Sequence, residues 1–96
     1  MNKHFPLITL ITCLALSTTV YADGLATCDS GSESGWQSQD VLTQQLTAKG
    51  WQVRRIKVDQ GCYEVYALDE KGNRVEAYFH PQTLESVPID ESKKRN

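Results

Sequence analysis

Two alternating runs, Cys62-Tyr-Glu-Val-Tyr-Ala-Leu68 and Arg74-Val-Glu-Ala-Tyr-Phe79, flank Asp69-Glu-Lys-Gly-Asn73, and this stretch restricts the folding of the chain most. A period of two marks half-buried strands. The residues between the runs suit a three-residue loop of Glu70, Lys71 and Gly72, with Gly72 supplying the left-handed backbone position. Such a loop sets the register of an antiparallel hairpin. Asp69 faces Asn73, Ala67 faces Val75, Val65 faces Ala77 and Tyr63 faces Phe79. The last three pairs are apolar and share one side of the sheet. The other side receives Cys62, Glu64, Tyr66, Leu68, Arg74, Glu76, Tyr78 and His80.

A third strand precedes these two. Trp51-Gln-Val-Arg-Arg-Ile-Lys-Val58 alternates through Trp51 and Val53, then slips phase to Ile56 and Val58. A bulge near Arg54 and Arg55 keeps all four apolar residues on one face. Upstream the period lengthens to that of a helix: Ser38 suits the N-cap, Asp40 sits in the first turn, Val41, Leu42 and Leu46 form one face, and Gly50 ends the element. The spacing predicts a helix from about Gln39 to Lys49, with Trp36 folded back on its start as an apolar lid. No other segment has enough apolar surface to cover the hydrophobic side of the sheet. The expected fold is therefore α+β, one helix packed on a three-stranded antiparallel β-meander.

The first 22 residues read as a secretory leader. Lys3 and His4 precede the apolar stretch Leu7–Leu16, and Val20-Tyr-Ala22 closes it with residues a signal peptidase accepts. The stretch is shorter than the roughly 20 apolar residues that span a bilayer. Removal of the leader takes Cys13 with it and leaves Cys28 and Cys62, an even pair in an oxidising compartment, so a disulfide is expected. It would close a loop of about 35 residues and contribute on the order of 3 to 4 kcal/mol. It would also draw the Ser/Gly-rich lead-in, residues 23–35, across the open side or edge of the sheet. A lipid anchor on Cys28 is the alternative, disfavoured by Thr27 before it. The folded domain is assigned to residues 36–89, and the charged end, 90–96, to a disordered tail.

Function classes narrow by elimination. The net charge is −2, and one unit more negative without Lys3, so nucleic acid is not an expected partner. Without its leader the chain has one histidine, no C-x-x-C and no zinc-like spacing, which argues against a metal or covalent haem, and no cofactor is expected. His80 has no partner in sequence for acid-base work, and Glu64 and Glu76 face Tyr78 and Tyr66 rather than each other. An enzyme is the least supported reading. Arg54, Arg55 and Lys57 read as charges that discourage edge pairing as readily as an anion site. The second sheet face is the candidate partner-binding surface: Glu64, Tyr66, Leu68, Arg74, Glu76 and Tyr78 mix aromatic and charged groups as docking patches do. Its competing reading is that the lead-in simply covers it.

Gly50-Trp-x-Val53, Gly61-Cys-Tyr-Glu-Val-Tyr-Ala67, Asp69-x-x-Gly72, Val75-Glu76 and Pro81-x-Thr83, taken in order, resemble the PepSY domain in its short, exported, single-domain form. The resemblance covers about Trp36 to Val87. PepSY domains are similar to the propeptides of thermolysin-like metallopeptidases, which assist folding and inhibit the enzyme. The resemblance implies a helix on a small antiparallel sheet and a role in restraining a peptidase or another protein outside the cytoplasm. Family members often carry Asp before the Pro and Gly after the Thr, where this chain has His80 and Leu84. The expected function is a non-catalytic module, periplasmic or secreted, that binds another extracytoplasmic or membrane protein without stable membrane insertion. The alternative is an accessory or sensory subunit of an envelope membrane complex serving redox chemistry or signalling.

Overall fold

A computed structural model describes residues 24–90 and Ser92. The leader and most of the charged tail lie outside the described residues. A 3-10 turn at Glu33–Gly35 is followed by helix α1 (Gln39–Ala48) and strands β1 (Gln52–Asp59), β2 (Cys62–Leu68), β3 (Arg74–Phe79) and β4 (Ser86–Val87). The strands form one antiparallel sheet in the order β1-β2-β3-β4. The architecture is the expected helix on an antiparallel sheet, with β4 as a short fourth strand.

Local chemistry sets the ends of α1. The Ser38 hydroxyl accepts from the Val41 N–H at 3.2 Å, satisfying one of the orphan donors of the first turn. At the other end Gly50 takes a φ of 92°. Its N–H donates to Thr47 O and the Trp51 N–H donates to Leu46 O, the paired bonds of a Schellman stop. Lys49 Nζ lies 5.0 Å from the centre of the Trp51 ring and covers it.

Both hairpins have the turns their registers require. Gln60 and Gly61 have φ of 51° and 79°, the pair of left-handed positions of a two-residue I′ turn, and Asp59 pairs with Cys62. Gly61 is required for a second reason: a Cβ there would run into the carbonyl oxygen of Cys28. In the β2–β3 loop Gly72 has a φ of 85°, and Asp69 Oδ1 accepts from the N–H groups of Lys71 and Asn73 at 2.9 Å each. These bonds, the one to Asn73 foremost, hold the Asp69 carboxyl below its ordinary value of 3.8. The resulting register, Tyr63 opposite Phe79, Val65 opposite Ala77 and Ala67 opposite Val75, is the one read from the sequence.

The β1 register shifts between Val53 and Arg55, so Arg54 is the bulged residue and Val53, Ile56 and Val58 face Ala67, Val65 and Tyr63 on the helix side. The core there comprises Leu42, Leu46, Tyr63, Val65, Ala67, Phe79 and Leu84, with Trp36, Trp51, Val53, Ile56 and Ala77 packed around it. Trp36 stacks edge-on against Tyr63 at 5.5 Å and donates from Nε1 to Ser30 O. Two expectations need correction. Val41 turns outward and is 42% exposed, because Leu42 and Leu46 already fill the contact face of α1. Val58 shares the helix side but is 46% exposed.

After β3 the chain turns with substitute chemistry. Leu84, where the resemblance leads one to expect Gly, has a φ of 61°, the conformation in which Gly is unstrained, yet its side chain is buried in the main core. His80, where Asp is usual, accepts the Gln82 N–H at Nδ1, the bond an Asp carboxylate would accept two residues on. That bond leaves Nε2 as the protonated nitrogen facing Asp29 O at 3.3 Å.

Candidate docking surface

The second sheet face divides into a covered half and an accessible half. Cys28 and Cys62 are bonded, with their Cα atoms 5.1 Å apart. The bond lays the lead-in over one end of the sheet. Leu25, Ala26 and Cys28 bury themselves against Cys62 and Tyr78, and Val87 and Ile89 close the cluster. Hydrogen bonds hold the lead-in as well: Cys28 N–H donates to Gln60 O, Ser30 Oγ donates to Gly61 O at 2.7 Å, and Asp90 N–H donates to Leu25 O. The disulfide also occupies the Cys28 sulfur, which overturns the lipid-anchor alternative.

Asp59 clamps this end. Its Oδ2 accepts the Gly24 N–H at 2.7 Å and the Tyr78 hydroxyl at 3.0 Å, joining lead-in, β1 and β3. Burial foremost, and then the bond to Asp59 and the nearby Glu64 charge, push the Tyr78 phenol well above its ordinary value. Tyr63 on the helix side is raised too, by burial and then by Glu33, and its hydroxyl donates to Gln37 O. Glu64 is fully buried beside Tyr78. Neither of its oxygens accepts a hydrogen bond among the described residues, and Lys57 Nζ is 3.7 Å away as its counter-ion.

Of the six residues read from the sequence as partner-binding, Glu64 and Tyr78 are fully buried, and Tyr78 packs against Leu25, Ala26, Cys28, Val87 and Ile89. Tyr66, Leu68 and Glu76 are half-buried and Arg74 is exposed, and these four share the remaining half of the face. Tyr66 pairs with Glu76 on β3 and with Arg55 on β1, and Lys57 Nζ lies 5.9 Å from its ring centre. Arg55, Lys57 and Asp59 also lie on this face, beyond the six residues expected there. A signal for them existed, since a bulge at Arg54 sends every second residue from Arg55 onward to the side opposite Ile56 and Val58. Among the described residues no group of three His, Cys, Asp or Glu side chains is placed to hold a metal, and no helix is long and apolar enough to cross a membrane.

The family described as peptidase propeptide and YPEB domain matches residues 6–89, nearly the whole chain. The chain belongs to the PepSY family. No curated protein and no solved structure matches it significantly. The observed sheet and helix carry the PepSY motifs where the sequence placed them: Tyr63-Glu-Val65 lies on the central strand β2, Asp69 and Gly72 in its loop, and Pro81-Gln-Thr83 in the turn after β3. This PepSY domain is a propeptide-like or regulatory type of module. Its second face is built as a strapped half, held by Cys28–Cys62 and Asp59, and an accessible half around Tyr66 and Leu68.

Proposed function

We propose that this PepSY protein is a non-catalytic binding module that acts outside the cytoplasm after removal of residues 1–22, and docks on another extracytoplasmic or membrane protein, with a peptidase as the first class of partner. The observation that carries the reading is the accessible half-face: Tyr66 and Leu68 are half-buried among Arg55, Arg74 and Glu76, an aromatic anchor with a charged rim. The disulfide supports an oxidising compartment, where such bonds persist. The family's description as a peptidase propeptide supports the partner class.

The test is an inhibition assay with the oxidised protein spanning residues 23–96 against a thermolysin-type metallopeptidase. Saturable inhibition that Tyr66→Ala and Leu68→Asp weaken supports the proposal. Inhibition unchanged in both variants refutes the choice of face. Absence of inhibition, together with co-purification with an integral membrane protein, transfers the module to an envelope complex as an accessory or sensory subunit.

A further inference from the structure

Strand β1 is the open margin of the sheet. One side of it pairs with β2, and among the described residues no strand pairs with the other. An edge strand presents alternate N–H and C=O groups outward, ready for another strand. The side chains flanking this edge are sorted by face. Toward the helix lie Ile56, half-buried, and Val58, 46% exposed. Val41 of α1 is the other exposed large hydrophobic among the described residues. Toward the other face lie Arg55, exposed, Lys57, which already neutralises Glu64, and Asp59, whose Oδ2 accepts from Gly24 and Tyr78, so the cations open to a partner are Arg55 and the bulged Arg54. Arg54 stands exposed at the bulge.

We propose that β1 accepts an extended segment of a partner protein as a fifth strand, and that the segment alternates apolar and acidic residues. Its apolar side chains would extend the core layer beside Ile56 and Val58, and its carboxylates would lie beside Arg54 and Arg55. The backbone supplies affinity and the alternation supplies specificity, as in other cases of strand addition. The bulge interrupts the ladder, so the paired stretch is Arg55–Asp59. A second copy of this chain is a poor occupant, because two antiparallel β1 strands centred on Ile56 set Arg55 against Lys57, and like charges directly opposite destabilise a pair. That register disfavours self-pairing, while Arg54 and Arg55 favour an acidic partner. This site borders the Tyr66 patch but is tested without a peptidase, so either proposal can fail alone.

The experiment titrates isotope-labelled, oxidised protein spanning residues 23–96 with the capped peptide Glu-Val-Glu-Ile-Glu-Val-Glu, and with a control in which every Glu is Lys. The expected result is saturable binding, with shift changes and slowed amide exchange at Arg55–Asp59 and at least roughly tenfold weaker binding of the lysine peptide. Arg54→Glu with Arg55→Glu, and separately Val58→Glu, should each weaken the acidic peptide about tenfold while the circular dichroism stays unchanged. Four outcomes overturn the proposal: no saturation, equal binding of both peptides, changes centred on Arg74 and Leu68 rather than β1, or dimerisation of the protein through β1.

Discussion

Breaking the Cys28–Cys62 bond tests how much of the fold depends on the strap. The two cysteines are 34 residues apart, and the segment between them contains the 3-10 turn, α1 and β1. For a loop of this length the chain-entropy relation gives about 3.8 kcal/mol at room temperature. A domain of about 70 residues holds only ~3–10 kcal/mol in total, so the bond is a large share of its stability. At 4–8 °C per kcal/mol, the melting temperature should fall by roughly 15–30 °C. The assay compares thermal melts of oxidised protein with those of Cys28→Ala/Cys62→Ala, because Cys62 is fully buried and reductant would reach it only after opening. The two alanines also leave small voids, on the order of 1 kcal/mol together. A fall of less than about 5 °C would refute the reasoning. It would mean that Leu25, the Cys28–Gln60 bond and the Asp59 clamp hold the lead-in without a covalent tie.

Further outcomes follow from the geometry. Leu84→Ala should destabilise by about 2–5 kcal/mol through the cavity it leaves, and Leu84→Gly should be no worse despite removing one more carbon, since glycine relieves the positive φ; urea titration checks the order, and Gly clearly below Ala would contradict it. Lys57→Ala should cost about 1–3 kcal/mol by leaving the buried Glu64 without its counter-ion, and Glu64→Gln should recover most of that in the double variant; a simple sum of the two losses would deny the coupling. With Tyr63 and Tyr78 raised above 10.0, the folded state holds their protons more tightly, so their contribution is complete below pH 10 and declines as pH rises beyond it; phenolate absorbance should show two tyrosines ionising at higher pH in the folded protein than in urea. At the acid end the lowered Asp69 acts oppositely, its contribution complete above 3.8 and fading as pH falls through the lower folded value.

The legible parts of the fold were those fixed by neighbours in sequence. The β2–β3 register follows from one glycine in a loop of fixed length, and the bulge at Arg54 follows from a phase slip between Val53 and Ile56. Parity alone paired Cys28 with Cys62 once Cys13 was assigned to the leader. What stayed hidden depends on contacts between distant segments. Nothing near Glu64 announces its burial, because the groups that enclose that end, Leu25, Val87 and Ile89, come from both ends of the described chain. Strand β4 has two residues and therefore no alternation to detect. Val41 and Leu42 are adjacent apolar residues on a helix, and only packing decides which of them turns inward. Leu84 hid a left-handed turn because its residue type speaks for an ordinary backbone, while burial in the core compensates the strain. The candidate site was half legible for the same reason: alternation gave the face, but not the strap that covers Tyr78 and leaves Tyr66 half-buried.

Site-specific photo-cross-linking in the native envelope tests the docking reading most directly. A photoreactive side chain placed at Leu68 samples the accessible half-face, and one at Thr47 samples the outer side of α1. A discrete adduct with one identified protein should form from position 68, be lost in the Arg74→Glu background, and not form from position 47. Adducts from position 47 alone, or equally from both, would contradict it.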